Sequence, residues 1–231
     1  MYSKVINSYL LFIKTLRFLF RYNINKIECF NSFSLKFHFL SLLSVYNVRE
    51  IIKLGLPWWT YNSATFLNEY LKNKAKLDAF EYGPGASSFW LKKYCKNIRF
   101  VEHDKNFYDY FKNLIKNENK INGKLVVPLP NKNSKFNSNK SGWVGYDFEQ
   151  YVKSISNEGK KFDIIVIDGR SRVSAFKYCT KFLKKNGIIV FDNSKRIRYS
   201  EIFRSGMSYK KFKGYVPTLP FKDETSIFFK N

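Results

Sequence analysis

The chain has 231 residues, 45% of them hydrophobic and 19% aromatic, which argues against a disordered protein and allows one substantial core. Its charge balance is 41 − 18 = +23, so the partners its field would draw are anionic: nucleic acid, acidic glycan or an anionic membrane surface. Lys, Asn, Ile, Phe and Tyr are abundant together, so a compositional bias of the source genome explains the charge equally well.

Residues 5–20 are apolar but interrupted by Lys14 and Arg17, which disfavours a transmembrane span. No small-residue cleavage site follows to mark a signal peptide. Val5, Tyr9, Phe12, Leu16 and Leu19 recur at helical spacing, with Lys4, Asn7, Lys14, Arg17 and Arg21 on the opposite side. That predicts a basic amphipathic helix packed on the domain or on a second subunit of a homodimer, with peripheral membrane contact as the alternative. In residues 30–48 the signals conflict: Phe33, Leu35, Phe37 and Phe39 alternate as in a strand, while Leu40, Leu42 and Leu43 do not. Residues 1–55 therefore read as an N-terminal extension or cap, and residues 56–231 as the main domain. Three cysteines (Cys29, Cys95, Cys179) and two histidines (His38, His103) lack ligand spacing, so no zinc site is readable, and they fit a reducing, cytoplasmic setting.

Leu56-Pro57-Trp58-Trp59-Thr60-Tyr61 leads into a helix with Ala64, Leu67, Tyr70 and Leu71 on its apolar side. Trp59 and Tyr61 are candidates for the rim of a substrate pocket, against the plainer reading of core packing. Next comes an apolar run (Leu77, Ala79, Phe80), the turn Glu81-Tyr82-Gly83-Pro84-Gly85-Ala86-Ser87, a helical segment through Tyr94, and a second run (Ile98, Phe100, Val101) ending in Glu102-His103-Asp104. This is the order strand, glycine turn, helix, strand, acid of a nucleotide-binding βαβ unit, in which glycine lets backbone approach the ligand. The separation 102 − 81 = 21 matches the roughly 20 residues such a unit needs before its ribose-binding acid.

A helix through Phe107, Phe111 and Ile115 follows, then a polar break at residues 117–123 and a third strand at residues 124–129. Residues 130–145 form a long Asn-, Lys- and Ser-rich loop, and Tyr146, Asp147 and Phe148 open another helix. Residues 162–167 are a buried parallel strand ending at Asp168. The next helix is closed by Gly187 as its C′ residue, and residues 187–191 are a further strand ending at Asp192-Asn193. Two strands that each finish in Asp put both carboxylates at the ligand-binding edge of an open α/β sheet. Residues 209–215 and 225–230 read as two last strands.

The pattern Glu81-x-Gly83-x-Gly85-x-Ser87 with Val101-Glu102-His103-Asp104 resembles the class I S-adenosylmethionine-dependent methyltransferases, and the likeness runs over residues 58–230. The resemblance implies a doubly wound, mostly parallel seven-stranded α/β sheet with an antiparallel last strand, here with an N-terminal helical extension. It implies S-adenosyl-L-methionine as cofactor, with Glu81, Gly83, Gly85, Ser87, Glu102 and His103 around it. Asp147 or Phe148 would reach the adenine, although Asp147 reads more simply as an N-cap. The expected activity is methyl transfer to oxygen on a small-molecule or glycan acceptor, with Asp168 as the base. Arg170 and Arg172 could clamp an acidic acceptor, and Asp192 and Asn193 would complete its site. Asp168 with Asp192-Asn193 also resembles the magnesium ligands of catechol-type O-methyltransferases, but Arg170 brings a cation to the same spot. The alternatives are an RNA methyltransferase whose phosphates follow residues 131–140, and a non-catalytic, membrane-peripheral scaffold of the same fold.

Overall fold

The computed structural model describes residues 2–19, 34–44 and 48–230. Arg21, Cys29 and Phe33 lie outside the described residues, as do the faces assigned to Lys4, Val5, Asn7 and Tyr9. Helix α1 spans Tyr2–Leu19 as the spacing predicts. Among its described side chains the buried one is Ile13, while Phe12 and Leu19, expected on the packed side, are exposed. Arg17, one turn beyond Ile13 and on the same side, pairs with Glu50. α2 (Leu35–Ser41) is helical despite its strand-like alternation. The Ser34 hydroxyl accepts the Phe37 N–H at 3.1 Å and caps it, so Phe37 goes in and Leu35 and Phe39 stay out. After α3 (Val48–Lys53) comes α4 (Tyr61–Leu71), capped by Thr60. No helix among the described residues is long and apolar enough to cross a membrane.

The strands are β1 (Leu77–Tyr82), β2 (Cys95–Glu102) and β3 (Ile121–Leu125), with α5 (Ala86–Leu91) and α6 (Lys105–Leu114) between them. A two-stranded ladder, β4 (Leu129–Pro130) with β5 (Tyr146–Asp147), pinches the long loop shut, and α7 (Glu149–Lys153) follows it. β6 (Phe162–Ile167), α8 (Arg172–Cys179), β7 (Leu183–Phe191), β8 (Ser208–Tyr215) and β9 (Lys222–Phe229) complete the chain. The seven-stranded sheet has the order β3-β2-β1-β6-β7-β9-β8. Its first five strands are parallel, and β9 runs against both β7 and β8.

Alternation within each apolar strand divides two cores. Ala79, Ile98, Phe100, Ile164, Val166 and Val190 pack on one face of the sheet with α4, α5 and α6. Phe80, Tyr82, Val101, Ile165, Ile167 and Phe191 pack on the other with α7 and α8.

Two boundaries differ from expectation. β3 starts at Ile121 because Gly123, read as part of a polar break, pairs with Phe100 inside the ladder. A Cβ there would lie 2.2 Å from the Phe100 carbonyl oxygen, so only glycine fits. Gly187 is likewise no helix C′ residue. α8 ends at Cys179, and the left-handed position is Asn186 (φ 61°), inside a β7 that already began at Leu183.

The register positions the site. Tyr82 pairs with both Val101 and Ile167, and Ile167 pairs with Phe191. The four central parallel strands therefore end level, and Gly83, Glu102, Asp168 and Asp192 emerge side by side at their carboxyl edge.

Candidate active site

A cleft of about 740 Å³ opens along that edge. Gly83, with φ 85°, turns the chain out of β1, and a Cβ on it would come within 2.9 Å of the Gly169 backbone. Gly169 is as tightly held, since a Cβ there would lie 1.9 Å from the Tyr151 hydroxyl. The two turns touch because both residues lack side chains. Gly85 differs: an added Cβ meets nothing within 4 Å, so its bare backbone faces open space.

Glu81 lies beneath the turn, fully buried, and binds the turn's own hydroxyls. Ser87 Oγ donates to one oxygen at 2.7 Å and Ser88 Oγ to the other. Burial pushes its carboxyl up to about 7 against the two hydroxyls. Glu102 is arranged otherwise. Its Oε1 accepts the backbone N–H groups of His103 and Asp104 at 2.8 Å each and lies 2.6 Å from His103 Nδ1. Its Oε2 makes no hydrogen bond among the described residues, and Glu102 lines the cleft. His103 is buried against the Trp143 ring at 4.6 Å, with neither ring nitrogen in an aligned hydrogen bond.

At the other end, Asp168 is knotted to Arg172. The Arg172 guanidinium donates to Asp168 Oδ1 (2.6 Å) and to the carbonyls of Asp168 (2.7 Å), Gly169 (3.1 Å) and Asp192 (2.5 Å). Burial raises the Asp168 carboxyl above its ordinary value, opposed by Arg172, Arg170 and Arg196. Asp192 accepts the Thr225 hydroxyl at 2.8 Å, and burial together with Asp168 pushes it up to about 8.

No protein-family model matches the chain, and no curated protein sequence does. Solved structures share its architecture. TrmN from Thermus thermophilus superposes with a TM-score of 0.50 at 7% identity, over 78% of this chain and 49% of that one. N-methyltransferase NodS from Bradyrhizobium japonicum WM9, also solved with S-adenosyl-L-homocysteine, superposes without it at 0.47 and 13% identity, over 71% and 91%. An rRNA methylase from Streptococcus thermophilus reaches 0.48 at 6% identity, over 74% and 96%. The chain has the fold of the class I methyltransferases. At such identities the likeness extends to the fold alone, and the N-methyltransferase and the rRNA methylase are named for different reactions.

Against that fold, the cleft gathers Gly83, Gly85, Ser87, Glu102, His103, Asp168, Arg170, Asp192 and Asn193, all expected from the sequence. Others fall elsewhere. Glu81 does not face the cleft, because both of its oxygens are held by the serines. Trp59 is fully buried, edge-on to Trp90 at 5.9 Å, and its neighbour Trp58 lines the cleft instead, donating its indole N–H to the Pro217 carbonyl. Tyr61 packs with Phe37 and Leu54, 3.4 Å from His38 Nδ1. Asp147 braces the loop, accepting the Ser134 hydroxyl at 2.7 Å and the Glu149 N–H at 2.8 Å. Phe148 backs His103 and Trp143 from the core. Arg172 is only 5% exposed and its fork is consumed by backbone, so it cannot clamp an acceptor.

Sequence reasoning missed Trp143 and Arg196 in the cleft wall, and gave Lys140 a role only as part of an RNA-tracking loop. For Trp143 a signal existed: it is the lone tryptophan in a loop of Asn, Lys and Ser. In the set that resembles a magnesium site, each side chain is already partly engaged. Asp168 Oδ1 is taken by Arg172, Asp192 Oδ1 by Thr225, and Asn193 Nδ2 donates to Asp223 at 3.1 Å. Among the described residues no three of His, Cys, Asp and Glu form a group able to hold a metal ion.

Proposed function

We propose that the chain is an S-adenosyl-L-methionine-dependent methyltransferase acting on an oxygen of a small molecule or glycan. One observation carries this reading: a side-chain-free turn, a carboxylate with an unengaged oxygen and an aspartate at a strand end share one cleft. The residues suit the cofactor. Gly83 and Gly85 leave bare backbone for its methionine end, and Glu102 Oε2 is the acceptor its ribose diol needs. His103 and Trp143 offer ring edges and faces beyond the sugar.

When bound, the cofactor supplies a methyl group on a sulfonium. The protein's part is to hold the acceptor oxygen in line and keep water out, which lowers the barrier by restricting motion. Asp168, at the cleft end of β6, takes the hydroxyl proton as the oxygen gains the methyl. Arg172 fixes that carboxylate's position, and Asp192, with its proton held near neutrality, adds no second full negative charge.

Calorimetric titration of the full chain with S-adenosyl-L-homocysteine tests the reading. One site per chain is expected, with Asp168→Asn leaving the affinity unchanged. No binding would overturn it.

A further inference from the structure

A second cavity of about 400 Å³ adjoins the cleft, and the two share Lys140, Gly169, Arg170, Asn193 and Arg196 in their walls. Its charge is one-sided. Lys135, Lys140, Arg170, Arg196 and Arg198 line it, and none of the five makes an ion pair among the described residues. Its one acid among those residues, Glu201, is already held by Lys177 at 2.5 Å. The first turn of α8 opens into the same space, and no side chain caps it. Its leading N–H groups therefore carry positive partial charge without intrahelical partners.

Two polar atoms here are buried without any hydrogen bond: the hydroxyl of Ser171, a residue only 7% exposed, and Nε of Arg170. Ser171 also takes a left-handed backbone (φ 48°) to begin the helix. Buried donors are almost always paired, so a pair of them at the wall of a basic cavity marks a place where a ligand supplies the acceptors.

We propose that this cavity is an anion subsite that seats the phosphate monoester of the methyl acceptor, which makes the acceptor a phosphorylated small molecule. The inference rests on the methyltransferase reading of the adjoining cleft, since the shared wall leads from the subsite to Asp168. A carboxylate offers two oxygens, whereas the donors here (Ser171 Oγ, the α8 N–H groups, Arg170, Arg196 and Arg198) converge from several elements and suit the terminal oxygens of a phosphate. A nucleic-acid diester carries one charge per phosphate and runs along a surface, and it has less use for buried donors at the wall of a pocket.

Ser171 and Arg198 line only the second cavity, and Arg198 is exposed, so changing them spares the cleft. Inorganic phosphate titrated calorimetrically into the full chain at physiological salt is expected to bind at one site. Ser171→Ala with Arg198→Ala should weaken it by about tenfold or more, with S-adenosyl-L-homocysteine affinity unchanged. Should the double variant fold poorly, Arg198→Ala alone carries the comparison. Absent phosphate binding, or binding that these variants leave intact, overturns the subsite. Phosphate binding without homocysteine-nucleoside binding would keep the subsite and overturn the methyltransferase reading; the reverse pattern would do the opposite. A single-stranded oligonucleotide that the variants release but phosphate cannot displace would assign the cavity to nucleic acid and overturn the proposal.

Discussion

Arg172 reaches the carbonyls of Asp168, Gly169 and Asp192 and the Asp168 carboxylate, groups that lie at the ends of two adjacent strands. Removing it would leave the carboxylate and the carbonyls of Asp168 and Asp192 without this donor, and the Gly169 carbonyl with only a long contact from Arg170 at 3.5 Å. Arg172→Ala should therefore lower the unfolding free energy by about 3–5 kcal/mol, the usual cost of breaking a buried pair. Arg172→Lys should recover little, because an ammonium cannot span the fork; urea denaturation showing wild-type stability for the lysine variant would contradict this. Glu81 gives a second test. Its carboxyl sits near 4.5 ordinarily and at about 7 in the fold, so between those values the folded chain holds a proton that the unfolded chain has released. Its stabilising contribution is then complete below the lower value and lost as pH rises through the upper one. The Glu81→Gln variant cannot ionise, so its stability relative to wild type should improve by up to about 3 kcal/mol from acid to mildly alkaline pH. Paired urea titrations across that range would show it, and a constant difference would mean that Glu81 is not held neutral.

The βαβ unit was legible at the level of elements because each of its parts leaves a local mark: an apolar run, a glycine turn, an acid at the right distance. The two turn glycines separate under substitution. Gly83→Ala forces a left-handed alanine into the Gly169 backbone 2.9 Å away, so it should destabilise the fold by about 1–3 kcal/mol. Gly85→Ala adds its methyl to open space, so stability should barely change while affinity for S-adenosyl-L-homocysteine falls. Thermal unfolding alongside calorimetry distinguishes them; equal destabilisation by both would show that Gly85 does not face the ligand. What was not legible depended on partners distant in sequence. Gly123 looked like a break until Phe100 lay across it, and the conflicting signals of α2 were resolved only by the Ser34 cap. Choosing between Trp58 and Trp59 needed to know which of two adjacent rings Trp90 would cover.

Across the whole molecule, the apolar runs marked most of the strands, while the seven-stranded sheet with its one reversed strand was what the family resemblance implied. The charge of +23 was read either as a field for anionic partners or as compositional bias, and the fold concentrates part of it in one cavity beside the strand ends. That concentration could not be read from the chain, because Lys135, Arg170 and Arg198 come from three segments far apart in sequence. All of this leads back to the edge where β1, β2, β6 and β7 end level. The most direct test is a crystal structure of the chain with S-adenosyl-L-homocysteine. The ribose hydroxyls should lie on Glu102 Oε2 and the amino-acid end over Gly83 and Gly85; the nucleoside bound away from that edge would contradict the account.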